Sequence, residues 1–483
     1  MGISINLSEI AEKVMADRGF APHFPESVVR EVSSIQAPAA PSSDYRDLRD
    51  FLWVSIDNDD SRDLDQITYA EKGSGGKDKV YIAIADVDAL VKSGSSIDQY
   101  AAHNTTSVYT PTRIFPMLPL TLSTDLTSLG ENADRCAIVV EVDVDRDGRF
   151  ELVDIYPAQV RNHAKLTYNG VTLWLEKKMQ GSPPRPEIVK QVVMQDQIAR
   201  RIQDYRDLQG ALTFGKIEVQ PIVVGGVAIG LEEKVMNRAQ KIIENFMIAA
   251  NVATTSYLLK QRAPIISRIV RVPERWDRVV ELAKALGHKL PAQPDVKALQ
   301  TFLLHQQRAD PEHFSDLSLA MIKLIGKGEY VLGVPGEPPI GHFDLALRDY
   351  AHATAPNRRY PDLIMQRILK SCIFHKAIPY TSDELSALAH HCTEKEDDAA
   401  KVERRMHKSA AAMVLSERIG ETFSAMVTGA GIKGTWVRLL KLPIEGKLVE
   451  GFEGFDVGDH LTVKLVHVDI ANGYIDFAKI HHR

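Results

Sequence analysis

The sequence predicts an α+β protein in which a short helical segment leads into a mixed helix-and-strand body and a small OB-type β-barrel closes the chain. Three observations predict it. Two amphipathic helical periods open the chain, β-branched runs alternate with helical periods from Arg49 to His375, and short strands bounded by glycine fill the final stretch. At 483 residues the chain exceeds what one core fills. The expected division is a helical segment over 1–48, the main body over 49–395, a helical connection over 396–420 and the barrel over 421–483.

Leu7, Ile10, Ala11 and Val14 share one face at helical spacing, and Asn6 or Ser8 can cap that helix. A second helix is expected over Ser27–Ile35, after the stop at Pro25, with Val28, Val32 and Ile35 on one face. Joined by "GFAPHF", the pair fits a helix-turn-helix and equally fits plain helical packing. "QAPAAPSSD" is a linker by composition. The continuous apolar run in "VYIAIADVDALV" predicts a buried strand, and "CAIVVEVDVDRDGRF" a strand that turns at Asp147-Gly148. Asn237–Gln261 reads as one long helix with Ile242, Phe246, Ala249 and Ala253 as its apolar stripe. Ser382–Gly420 reads as a charged helix with a solvated face. The strands "SAMVTG", "GTWVRLL", "GKLVEGF", "HLTVKLVHVD" and "YIDFAKI" fit a small OB-type barrel. Trp436 then sits either on a strand face where nucleic acid stacks or in the core, and the flanking Lys433, Arg438 and Lys441 favour the exposed position.

A net charge of −6 leaves no global basic field, so any nucleic-acid binding must rest on a local channel. Cys136, Cys372 and Cys392 lie far apart without C-x-x-C spacing, which argues against a disulfide framework or a zinc site and suits the cytoplasm. His390-His391-Cys392 lies in a polar helical stretch with no second ligand cluster. No signal-peptide pattern and no membrane-spanning apolar run is evident.

The stretch "SIDNDDSRDLDQI" crowds Asp57, Asp59, Asp60, Asp63 and Asp65 into one turn. Their repulsion is relieved when a divalent cation neutralises them, and magnesium takes oxygen ligands of this kind. Asp63 and Asp65 alternate, so an extended backbone points both the same way, and Asp57 approaches from a strand end. A calcium loop or a solvated acidic turn is the alternative, although the EF-hand pattern is absent. A second constellation, "YAHATAPNRRYPDLIMQR", places Arg358 and Arg359 at the start of a helical period. Paired arginines at a helix start suit phosphate binding, and equally suit a structural bridge to Asp362.

With both constellations in hand, the chain resembles the ribonuclease II/R (RNB) family of 3′-to-5′ exoribonucleases. The family motif T-I-D-x-x-x-x-x-D-x-D-D is similar to "SIDNDDSRDLDQ", and A-x-T-S/A-P-x-R-R/K-Y-x-D to "AHATAPNRRYPD". The blocks "RDLRDF", "IADVDALV", "TSVYTPTRIFPMLPLTLSTDLTSL", "AKLTY", "GALTF" and "KIIENFMIAAN" follow in family order, and the tail resembles the family's S1-type barrel. The resemblance implies an RNB-type catalytic domain in which Asp57, Asp63 and Asp65 hold magnesium and Arg358 grips the scissile phosphate. It further implies that Tyr109 and Phe214 pinch the terminal nucleotides, that Tyr168 lies along the RNA channel and that Glu244 lies near the 3′-terminal ribose. Phe214 and Tyr168 also fit core positions.

Two departures stand out. Gln66 occupies the family's fourth aspartate position, where an amide can ligate but brings no charge, leaving one expected magnesium ion and the second open. Relatives commonly carry tandem cold-shock barrels upstream, whereas fewer than fifty residues precede the "RDLR" block here; the RNA entrance is therefore expected from the helical segment and the barrel. The expected activity is magnesium-dependent, processive hydrolysis of single-stranded RNA to 5′-mononucleotides by a monomer, without membrane or small-molecule cofactor. The alternative is a catalytically weak or silent RNA-binding protein of the same fold, because of Gln66.

Overall fold

The computed structural model describes residues 6–178, 185–215, 217–311, 313–442 and 444–480, so residues 1–5 of the expected helical segment and 481–483 of the barrel range lie outside it. The main body is built on a six-stranded sheet ordered Arg46–Asp47, Phe150–Thr167, Trp53–Asp57, Gln66–Lys72, Asp78–Ala85, Asp134–Val144. The apolar run "WVSI" is buried on both faces, so Trp53–Asp57 takes a neighbour on each edge: Phe150–Thr167 in parallel and Gln66–Lys72 antiparallel. Phe150–Thr167 also pairs antiparallel with Asp134–Val144, and the sheet closes on itself. The turn between these two strands falls where the Asp147-Gly148 signal put it. Gly148 has φ +83°, and a Cβ there would overlap the Arg201 carbonyl of the helix packed beneath, so only glycine fits.

Helix Arg238–Lys260 crosses this sheet behind a capping box in which Asn237 and Gln240 satisfy each other's backbone amides. Its buried face includes Ile242, Phe246, Ala249 and Ala253, the stripe read from the sequence. Helices Trp276–Ala285, Val296–Ala309 and Phe314–Ile325 enclose a second core around Phe302, Leu303 and Met321.

The 34-residue helix Ser382–Leu415, capped by Thr381 and Glu384, runs through the expected 395/396 boundary as one element. Leu385, Ala389 and Cys392 bury in the main core, Val402 and Met406 against the N-terminal helix, and Ala411, Ala412 and Leu415 in the barrel core. The N-terminal helix Leu7–Asp17, capped by Asn6, packs on this long helix. The following helix, Glu26–Ser34, instead sends Val28 into the main core, so the two helices dock on different cores. The barrel closes in the order Thr422–Gly431, Gly434–Leu439, Glu445–Glu450, Tyr474–Lys479, His460–Asp469. Among the described residues, no helix is long and apolar enough to cross a membrane.

Candidate active site

The acidic loop begins where strand Trp53–Asp57 ends. Asp57 Oδ1 accepts from the Asn58 amide at 2.7 Å and from Ser61 Oγ at 2.9 Å, which turns the chain at the strand end. Leu64 is almost fully buried; its amide donates to Ser128 Oγ at 3.0 Å and its carbonyl accepts from the Leu129 amide at 2.9 Å. With Leu64 anchored inward, its neighbours Asp63 and Asp65 both turn to the same cavity, as their alternation predicts.

The opposing wall comes from the far end of the main body. Asp65 Oδ1 accepts from the Asn357 backbone amide at 2.9 Å, and Arg358 Nε lies 3.3 Å from Asp65 Oδ2. Arg358 is itself held by its carbonyl, which accepts from the Ser107 amide at 3.0 Å. That segment continues directly into Tyr109, whose hydroxyl stands 3.4 Å from Asp63 Oδ2 and whose amide donates to Glu403 Oε1 at 2.9 Å. Arg359 takes the structural alternative: Nη2 donates to the buried Asp362 at 2.7 Å, whose same oxygen accepts from the amides of Thr354 and Ala355.

Asp57, Asp63, Asp65, Gln66, Tyr109, Tyr168 and Arg358 thus line one cavity of about 720 Å³. Burial pushes the Asp65 carboxyl up to about 7 against the pull of Arg358 and the Asn357 amide. Burial also raises Asp63, with the neighbouring Asp57 charge adding to it and Arg358 opposing. Arg358 therefore leaves the acids incompletely compensated, which is the electrostatic condition for a bound cation. Among the described residues, no three Asp, Glu, His or Cys side chains converge on one metal position. Magnesium usually takes one or two carboxylates and fills its remaining positions with water or substrate phosphate, so the donor set fits it in that mode.

Other expected residues lie elsewhere. Phe214 is partly buried against the three-helix core and does not line the cavity. Glu244 pairs with Lys241 at 2.8 Å, roughly 100° round its helix from Ile243, which does line the cavity together with Gln240 and Met247. Trp436 lies between the inward-facing Thr435 and Val437 on the outer side of the barrel, with Lys447 Nζ 6.0 Å from its ring centroid. Arg438 does not share that surface; it is buried against Asp316 at 3.2 Å, leaving Lys433, Lys441 and Lys447 as the local basic groups. Asn357, Gln240 and His407 also line the cavity. Nothing in the sequence singled them out, since His407 reads as one more polar residue of a charged helix.

Residues 45–375 match the RNB domain, and residues 421–480 match the RNase II-type exonuclease C-terminal S1 domain. Ribonuclease R of Aquifex aeolicus is 30% identical over 493 aligned residues, covering 95% of this chain and 68% of that protein. Ribonuclease R of Escherichia coli is 28% identical, covering 95% of this chain and 60% of that protein. Among solved structures, Mycoplasma genitalium RNase R in complex with ribose methylated single-stranded RNA shares the fold at a TM-score of 0.86 and 23% identity, covering 98% of this chain and 78% of that one.

Proposed function

The chain belongs to the RNB-domain family of exoribonucleases, and on that premise we propose that it is a magnesium-dependent enzyme degrading single-stranded RNA processively from the 3′ end to 5′-mononucleotides, as a monomer in the cytoplasm. The observation that carries this reading is the meeting of Asp57, Asp63, Asp65 and Arg358 on one cavity. One or two carboxylates from among Asp57, Asp63 and Asp65, with water or substrate phosphate in the remaining positions, would hold magnesium, which would supply the positive charge and Lewis acidity that phosphodiester hydrolysis requires. Arg358 presents a fixed cation to the scissile phosphate and stabilises the charge that develops on it. Tyr109 and Tyr168 offer ring faces on which bases stack without regard to sequence. The barrel and its outward Trp436 extend the RNA-contacting surface away from the cavity.

Purified protein incubated with uniformly labelled RNA and magnesium is expected to release labelled 5′-mononucleotides, and a chelator to stop the release. Intact RNA under those conditions, with magnesium titrated to saturation, overturns the proposal.

A second reading rests on Gln66, which is buried on the cavity wall where the family motif has an aspartate. In that reading the protein binds RNA in a salt-sensitive way and cleaves weakly or not at all. It predicts that Gln66→Asp accelerates cleavage strongly. Wild-type turnover equal to that of the variant rules it out.

A further inference from the structure

Tyr109 is carried on a small hairpin. Val108–Tyr109 pairs antiparallel with Ile114–Phe115, with Val108 opposite Phe115 and Tyr109 opposite Ile114. Residues opposed in such a ladder point to the same side, with Cβ atoms about 4.5–5.5 Å apart, and neighbours along a strand point to opposite sides. Burial follows that rule. Val108 and Phe115 are buried in the core shared with the N-terminal helix, where Arg113 Nη1 donates to Glu12 Oε1 at 2.6 Å and the same guanidinium covers the Phe115 ring. Tyr109 and Ile114 take the other face; they are 37% and 49% exposed, and both line the catalytic cavity. The Thr110 amide closes the turn on the Arg113 carbonyl at 3.1 Å, so the hairpin holds the two side chains abreast.

A single exposed isoleucine on a protein surface needs no explanation. Ile114 differs in where it stands, beside a ring whose hydroxyl lies 3.4 Å from Asp63 Oδ2, in a cavity lined by aspartates. Leu120 is also exposed on this cavity, but no ladder ties it to Tyr109. We propose that Ile114 is a substrate-contacting residue: its side chain continues the surface of the Tyr109 ring, and one of the last bases of the RNA rests across it. The substrate is that of the exoribonuclease reading, on which this inference rests. An aliphatic group has no donor to offer a phosphate, whereas the face of a nucleobase gains by covering it. Every base has such a face, so the contact adds grip without reading sequence.

The test measures binding of full-length protein to short RNAs, with a chelator in place of magnesium so that no RNA is cut. Each base near the 3′ end is replaced in turn by an abasic sugar. In wild type, loss of the base that faces Ile114 should weaken binding. Ile114→Ser removes the aliphatic surface at an exposed position, and should raise the Kd of unmodified RNA about 3–10-fold. The penalty for the abasic sugar at one position should shrink by a similar factor in this variant, and penalties elsewhere should match wild type. Such a loss is a coupling between one side chain and one base, which a disturbed fold does not produce. Ile114→Phe restores an apolar face and should return the Kd to within about twofold of wild type.

An unchanged Kd in Ile114→Ser overturns the inference. So does a raised Kd whose abasic penalties match wild type at every position, the result expected of a disturbed hairpin. With magnesium restored, RNA that is bound by wild type but never cleaved defeats the exoribonuclease reading, while the binding comparison still decides the role of Ile114. A cleaving wild type with an indifferent Ile114→Ser variant removes this inference alone.

Discussion

Arg358 Nε and Asp65 Oδ2 are 3.3 Å apart although 293 residues separate them in the chain. The guanidinium is therefore both the counter-charge of a buried carboxylate and, at 42% side-chain exposure, open to the cavity. Arg358→Ala should lower the cleavage rate by about 100-fold or more while leaving RNA Kd nearly unchanged, because stacking and barrel contacts lie elsewhere. Arg358→Lys should recover little of the rate, since an ammonium does not reproduce the planar fork. Single-turnover cleavage and filter binding on the same preparations check both statements.

Tyr109 presents its ring to the cavity while Glu403 holds its backbone and Asp63 lies beside its hydroxyl. Tyr109→Ala should remove stacking worth about 1–3 kcal/mol per base, and the final resistant fragment should change length. Tyr109→Phe keeps the ring and should leave that length unaltered. A sequencing gel on which the alanine variant ends at the wild-type fragment removes Tyr109 from the terminal grip.

Trp436 stands outside the barrel core, so its loss should leave the barrel folded. Trp436→Ala should weaken RNA binding by about 5–100-fold, the effect of losing one stacked base, with the saturated rate unchanged. Binding isotherms at several salt concentrations, alongside circular dichroism, separate lost stacking from lost folding.

Glu445 joins the barrel to the rest of the molecule through Lys323 and Lys408, each at 3.3 Å, and also accepts from Thr428. Burial alone would raise its carboxyl, but the two lysines prevail and bring it down to about 2. The folded value lies below the unfolded one, so the pair's stabilisation is full above about pH 4.5 and disappears as pH falls toward 2. Glu445→Gln should therefore cost about 1–3 kcal/mol at pH 7. The gap from wild type should close on acidification. Urea denaturation at pH 7, 5 and 3.5 measures it, and a constant gap across that range refutes the assignment.

The chemistry was readable in the sequence where local pattern decides the outcome. Asp63-Leu64-Asp65 alternates in an extended stretch, and alternation suffices to put both acids on one side once Leu64 buries. The "NRRYPD" stretch marks a helix start, and Arg359 and Asp362, three residues apart, meet there. What could not be read depends on contacts between distant segments. Arg438 looks like a basic surface residue until Asp316, 122 residues away, meets it beneath the barrel. Phe214 and Glu244 sit in stretches that match the family, yet packing against the three-helix core claims the first and Lys241 the second. Asn357 and His407 reach the cavity by the path of the whole chain, which no local periodicity encodes.

Helix Ser382–Leu415 spans about 50 Å by its residue count. Toward its far end it carries, in succession, the Glu403 contact to Tyr109, His407 at the cavity and the alanines on which the barrel sits. Each added residue in such a rod turns everything beyond it by about 100° and advances it by about 1.5 Å. A single alanine inserted between His407 and Ala411 would keep every catalytic side chain in place yet swing the barrel to a different bearing. The angular phase of this helix, together with the Lys323–Glu445 and Asp316–Arg438 contacts, thus sets the bearing of the barrel relative to Arg358.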